Sequence, residues 1–175
     1  MLQIEGYNKK TIQIIILAII LAITLSSCII YENQTSSKGG DIMLRAALYR
    51  DFTGIYIFVL GYDGTLEVFS GEGNVSNTTT PEDIDIIKND NIVLSEEQLA
   101  QFNQIISEIQ GSIPEGGFAR GAWFAKIELD DATYRFAYGM ANDENLDKLV
   151  TMLIEASPFE IVDNTGRTVE PIAIN

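Results

Sequence analysis

Two amphipathic helical segments, each following a predicted β-hairpin, constrain the fold of this chain more than any other feature. The first begins at the capping box Ser95-Glu96-Glu97-Gln98, and the second begins at Asn142 or Asp143 and ends near Pro158. Each segment carries one apolar stripe that needs a core to pack against. The stripes are Leu99, Phe102, Ile105, Ile106 and Ile109 in the first, and Leu146, Leu149, Val150, Leu153 and Ile154 in the second.

The first predicted hairpin joins two β-favouring runs, residues 55–60 and 65–69. Asp63-Gly64 lies between them and is typical of a two-residue type I′ turn. A loop of that length pairs Phe58 with Phe69 across the two strands. The sequence therefore predicts that these two aromatic side chains share one face of the sheet.

The second predicted hairpin turns at Asp130-Asp131. A loop with an even number of residues pairs Ile127 with Tyr134 and Trp123 with Tyr138, which collects the large side chains on one face. An odd loop would scatter them over both faces. We therefore expect a two-residue loop here.

Three further segments complete the predicted layout. Residues 42–48 alternate between two faces, which predicts a strand. Residues 71–92 are expected to be mostly loop, with a helical turn after Pro81. At the end of the chain, residues 159–162 and 168–174 could form a last hairpin. The order β-β-β-α-β-β-α-β-β predicts an α+β domain. Its antiparallel sheet is expected to carry both amphipathic helices on one face.

An export signal precedes this domain. Lys9 and Lys10 stand before an apolar run over residues 14–23, and small residues follow in Leu25-Ser26-Ser27-Cys28. That tetrapeptide resembles the lipobox of bacterial lipoproteins. The resemblance implies that Cys28 receives a diacylglyceryl thioether and becomes the first residue after cleavage. The order of strands and helices in the domain is similar to that of small uncharacterised lipoproteins of Gram-positive bacteria.

This interpretation divides the chain into a signal peptide (1–27), a lipidated flexible tether (28–40) and a single α+β domain (41–175). It predicts attachment to the cell membrane through lipid on Cys28. The alternative is a retained anchor, because residues 12–31 approach the length of about 20 that a spanning helix needs. Under both alternatives the domain lies on the extracytoplasmic side, since the lysines keep the N-terminus inside.

Composition excludes several functions. The formal net charge is −14, and a protein that binds nucleic acid needs a basic surface. The chain has no histidine and one cysteine, so Ser-His-Asp, Cys-His and histidine–zinc sites are excluded. The acidic residues between 82 and 90 lack the glycine and terminal glutamate of an EF-hand loop. We therefore predict neither a metal site nor a cofactor, and the sequence contains no catalytic motif.

The remaining evidence favours binding over catalysis. Tyr56, Phe58 and Phe69 are the candidate binding residues, on a sheet face opposite the helices, and the expected ligand is a protein or small molecule of the cell envelope. The alternatives are a carboxylate-dependent hydrolase of the envelope, for which the cluster Glu128, Asp130 and Asp131 is the candidate, and a purely structural lipoprotein.

Overall fold

The computed structural model describes residues 41–50, 54–73, 78–109, 121–130, 132–163 and 166–169. Cys28, the signal peptide and the tether lie outside these residues, so the predictions about them stay predictions. The described residues belong to one compact unit. The elements of that unit follow the predicted alternation of hairpins and helices, with one strand that the sequence analysis missed.

The strands and helices occur in the following order along the chain: β1 (Ile42–Arg50), β2 (Gly54–Gly61), β3 (Thr65–Glu72), a 3₁₀ turn (Pro81–Asp83), β4 (Asp85–Val93), α1 (Glu96–Glu108), β5 (Phe124–Leu129), β6 (Ala132–Ala137) and α2 (Glu144–Ala156). Within the described residues the six strands form one sheet in the order β4-β3-β2-β1-β5-β6. Every neighbouring pair is antiparallel. The α+β prediction is confirmed.

Both helices begin at the caps that the sequence contains. The Ser95 hydroxyl accepts a hydrogen bond from the Gln98 N–H (3.2 Å), and the Gln98 side chain accepts one from the Ser95 N–H (3.0 Å). Asp143 caps α2 by accepting a hydrogen bond from the Asn145 N–H (2.9 Å). These bonds satisfy backbone donors that have no partner inside a helix.

The helices pack on one face of the sheet, and the main core lies between them and the strands. Phe102 of α1 and Leu149 of α2 are buried there with side chains from every strand except β4, whose Ile92 is partly buried against the same core. The other large, fully buried members are Leu44, Leu48, Phe58, Leu60, Leu66, Ile127, Phe136 and Leu146. Because one face of the sheet supplies this core, residues with the same parity along each strand share it.

The second hairpin has the predicted register. Ile127 pairs with Tyr134, and the Tyr138 N–H donates to the Trp123 carbonyl (2.8 Å). Leu129 pairs with Ala132, which leaves a two-residue loop. Asp130, the first residue of that loop, has φ +46°, as a type I′ turn requires.

The predicted register of the first hairpin is wrong by one residue. Phe58 pairs with Val68, and Ile57 pairs with Phe69. The loop contains three residues because the Gly64 N–H closes a turn on the Gly61 carbonyl (3.0 Å) and Gly64 itself has φ +80°. A three-residue loop that ends in a left-handed glycine adds one residue to the two-residue turn that Asp-Gly favours.

Residues 85–93 form strand β4, where the sequence analysis predicted a loop; the helical turn after Pro81 is confirmed. β4 pairs with β3, and one residue is inserted where the register shifts opposite Ser70 and Gly71. At the C-terminus, Val162 and Thr168 form an isolated antiparallel bridge. The rest of the predicted closing strand, residues 170–175, lies outside the described residues.

Candidate functional site

The proposed lipid anchor cannot be placed, because Cys28 lies outside the described residues. Among the residues that the structure does describe, no helix is both long and apolar enough to cross a membrane.

The prediction that Tyr56, Phe58 and Phe69 share a face opposite the helices is wrong. Tyr56 and Phe58 lie in the main core beneath the helices, and Phe58 is 1% exposed. Phe69 is partly buried on the opposite face, against Ile57 and Val59. Two errors combine here. The extra residue in the first hairpin loop moves Phe69 to the face opposite Phe58, since a slip of one residue changes the face of a side chain. Independently of that register, the helices cover the face of β2 that carries Tyr56 and Phe58. Binding by these three residues would need a surface that they do not form together.

Tyr56 attaches the C-terminal segment to the sheet. Its hydroxyl donates to the Val162 carbonyl (2.9 Å) and accepts from the Val162 N–H (3.0 Å). Its ring lies 6.3 Å from Trp123 and 6.4 Å from Phe159, measured between ring centres. The Tyr56 side chain thus binds the N–H and the C=O of Val162 and contacts two aromatic rings. These contacts give Tyr56 a structural role.

The sheet face opposite the helices is covered, over β1 to β3, by the segment before β4. Ile84 packs on Ala47, Ile55, Ile57 and Val59, which form a second apolar cluster. A Cβ atom at Gly71 would lie 2.8 Å from the Ile84 side chain and 2.6 Å from the Asp85 carbonyl oxygen, so only glycine admits this close approach. The aliphatic face of β2 is therefore a second layer of core.

Glu128, the main carboxylate of the predicted hydrolase site, is paired with a lysine. Its Oε1 lies 2.7 Å from Lys126 Nζ, and the Lys126 residue is 6% exposed. Burial by itself would raise the pKa of Glu128, but the hydrogen bond and charge of Lys126, with the charge of Arg45, lower it overall. A carboxylate held in its charged form is poorly suited to act as a general acid.

The other two residues of the predicted carboxylate cluster do not strengthen it. Asp130 is exposed at the hairpin tip, and Asp131 lies outside the described residues. Within the described residues no group of three or more carboxylates stands close enough to hold a metal ion. Asp83 instead accepts a hydrogen bond from the Thr78 hydroxyl (2.7 Å), which shapes the segment that covers the sheet.

Asp147 has a raised pKa, because burial of the carboxyl outweighs the two backbone N–H groups that bind it. Those donors are Gly139 (2.7 Å) and Ala141 (3.1 Å), in the turn that leads from β6 to α2. A perturbed carboxyl can indicate a functional site. Here both oxygens hold backbone of the same domain, so the carboxyl serves to position that turn.

The most exposed apolar surface of the described residues lies on β4. This strand occupies one edge of the sheet, with β3 on one side and no described strand on the other. Eight of its nine residues are exposed. Ile86, Ile87 and Val93 are 48%, 70% and 74% exposed, which is unusual for aliphatic side chains in a strand.

The centre of β4 is polar and carries one charge of each sign. Lys88 Nζ lies 4.1 Å from the centre of the Phe159 ring, a cation–π contact on the helix side of the sheet. Asp90 Oδ1 accepts a hydrogen bond from the Asn91 N–H (2.8 Å). The sequence signal that could have revealed β4 is the pair of β-branched dipeptides, 86–87 and 92–93, at its ends.

Comparison with known proteins gives no assignment: no family model matches the sequence, and no curated protein matches it at a significant level.

Proposed function

We propose that this protein is a lipoprotein, anchored by lipid on Cys28 at the extracytoplasmic side of the cell membrane, that works as a binding module through the outer edge of β4, which no described strand covers. The single observation that carries the binding role is the exposed nine-residue edge strand with its aliphatic side chains.

An edge strand offers a row of backbone N–H and C=O groups that lack a strand partner on the outer side. An extended segment of another chain can pair with that row, because main-chain hydrogen bonds supply affinity and alternate side chains supply specificity. The exposed side chains of Ile86, Ile87 and Val93 add apolar area that such a segment would remove from water. The partner class is thus a protein with an extended segment.

The proposed anchor suits this activity. The predicted tether, residues 28–40, reaches about 45 Å when fully extended. A domain on such a tether would stay close to the membrane and meet partners that share the membrane or its adjacent wall. The pairing of Glu128 with Lys126 counts against the hydrolase alternative.

The test is site-specific photo-cross-linking of the full-length protein in intact cells. A photoreactive residue replaces Ile87 or Val93 on β4, and the matched control replaces Asn103, an exposed residue of α1. We expect protein adducts from both β4 positions and few from Asn103. The binding role would be refuted if the β4 positions gave adducts no more often than Asn103, which is the result expected of a purely structural lipoprotein.

A further inference from the structure

We infer that the partner of β4 is a second copy of the same chain, whose β4 pairs antiparallel with the first about a two-fold axis at Asn89. The inference rests on the proposed binding role of this edge and names its partner. The two six-stranded sheets would join into one continuous sheet, with the helices of both copies on the same side.

The length of the strand favours this arrangement. β4 runs from Asp85 to Val93, and Asn89 is its middle residue. A two-fold axis at Asn89 therefore sets all nine positions opposite one another, with the inserted residue Ile87 facing Asn91 of the other copy, and a register centred on any other residue leaves positions unpaired. Because each added residue pair contributes backbone hydrogen bonds, full overlap is the most favourable pairing.

The charges of β4 favour the same register. With Asn89 opposite its copy, Lys88 of each chain faces Asp90 of the other, so the symmetric pairing makes two unlike-charge contacts. An axis at Lys88 would put two lysines opposite each other, and an axis at Asp90 would put two aspartates opposite each other. Directly opposed like charges destabilise a strand pair. The best overlap and the best charge pairing thus occur in one register.

The side chains of Lys88 and Asp90 can make these contacts on the same face of the sheet. Lys88 pairs with Ser70 and Asp90 with Val68, which places both on the helix side. The Phe159 ring contacts one side of the Lys88 ammonium, and an ammonium has three N–H donors. The Asp90 oxygen that does not accept the Asn91 N–H remains an acceptor.

The acidity of the protein does not prevent this pairing. The chain carries a formal net charge of −14, so two copies repel each other at long range. Salt at physiological strength screens charges more than about 8 Å apart, whereas opposed side chains of paired strands lie closer than that. Charged residues also protect sheet edges from unspecific pairing. On β4 the same two charges oppose the shifted registers and favour the symmetric one.

A disulfide test probes the centre of the pairing. Directly opposed residues of antiparallel strands have Cα atoms about 4.5 to 5.5 Å apart, within the range that a disulfide can bridge. Asn89→Cys in the full-length protein should therefore give a covalent dimer in oxidised membranes. Asn103→Cys and the unchanged protein, whose single cysteine is Cys28, are the controls. The inference would be overturned if Asn89→Cys gave no more covalent dimer than Asn103→Cys.

Charge reversal tests the register. Two differently tagged full-length copies should co-purify from detergent, and Lys88→Glu or Asp90→Lys should each weaken self-association by about tenfold or more. A mixture of the two variants should restore it, because the introduced glutamate of one copy would then face the introduced lysine of the other, and the unchanged Asp90 would face the unchanged Lys88. Lys148→Glu and Glu97→Lys on the helices are the matched charge controls. Self-association that persists in both single variants, or a mixture that fails to recover, would contradict this register.

The cross-links separate the two proposals. Photo-adducts from Ile87 with twice the mass of the chain support the second copy as partner. Adducts with a different protein, together with no Asn89→Cys dimer, would overturn the self-pairing and leave the binding role of β4 standing. The absence of adducts from β4 would overturn both.

Discussion

Leu149 provides the most direct test of how the helices pack on the sheet. Its side chain is 0% exposed and lies in the main core, on the face of α2 that meets the strands. Leu149→Ala removes roughly three methylene equivalents at about 0.8 kcal/mol each, or about 2.4 kcal/mol of transfer free energy. The cavity left behind adds to this, so we expect a loss of about 3 to 4 kcal/mol in the free energy of unfolding.

The assay is thermal and denaturant unfolding of the full-length protein in detergent, followed by circular dichroism. For a domain of this size, 3 to 4 kcal/mol corresponds to a fall in Tm of about 10 °C or more. Glu155→Ala is the matched control because Glu155 is exposed on the same helix, and its effect should stay within about 0.5 kcal/mol. A fall in Tm of less than about 2 °C for Leu149→Ala would show that α2 does not pack on the sheet as described.

Three further predictions test the anchor, the first hairpin and the buried ion pair. Cells fed labelled fatty acid should label the protein, and Cys28→Ala should abolish the label; equal labelling of the variant would refute the lipoprotein proposal. Gly64→Ala should lower the free energy of unfolding by about 1 to 2 kcal/mol, measured in denaturant, because Gly64 has φ +80°. The control is Gly54→Ala, which should change the free energy of unfolding by no more than about 0.5 kcal/mol, because no atom lies within 4 Å of the new Cβ. Glu128→Gln should lower Tm at pH 7, and the difference from wild type should shrink as pH falls below about 4. The pKa of Glu128 is lowered in the folded state, so the carboxylate stabilises the fold above the unfolded pKa of about 4.3 and ceases to do so as it protonates. A Tm difference that does not change with pH would contradict the charge pairing with Lys126.

The helices and the second hairpin were predictable because local signals agree with burial there. The capping box at Ser95 coincides with the start of the apolar stripe of α1, and the same holds for Asp143 and α2. In the second hairpin, Trp123 and Ile127 of the first strand have to meet the three aromatic side chains of the second strand on one face, which selects the two-residue loop. Where several independent constraints point to one register, the sequence suffices.

The first hairpin was predicted with the wrong register because its side chains impose no such constraint. β2 is apolar on both faces, with Tyr56 and Phe58 on one side and Ile55 and Ile57 on the other. A slip of one residue therefore exposes no apolar side chain on that strand, and the turn chemistry at Asp63-Gly64 was left to decide. Asp-Gly favours the two-residue turn, but the chain adopts the three-residue loop that the same dipeptide also permits. The predicted place of Phe69 beside Phe58 depended on this register, whereas the wrong face predicted for Tyr56 and Phe58 did not.

The failure to predict β4 and the proposed role of β4 have the same physical cause. A strand at the edge of a sheet, exposed on both faces, buries little of its own surface, so hydrophobic alternation is weak and residues 88–91 are all polar or charged. Pairing with β3 makes the segment a strand, and the local sequence signals it only through the β-branched dipeptides at its two ends. Because the core places almost no demand on β4, its side chains are free to suit whatever lies beyond the edge. The symmetric placement of Lys88 and Asp90 about Asn89 is the pattern that a second copy of the strand would require, and the recovery of pairing in the mixed charge variants is the measurement that decides whether this symmetry has a function.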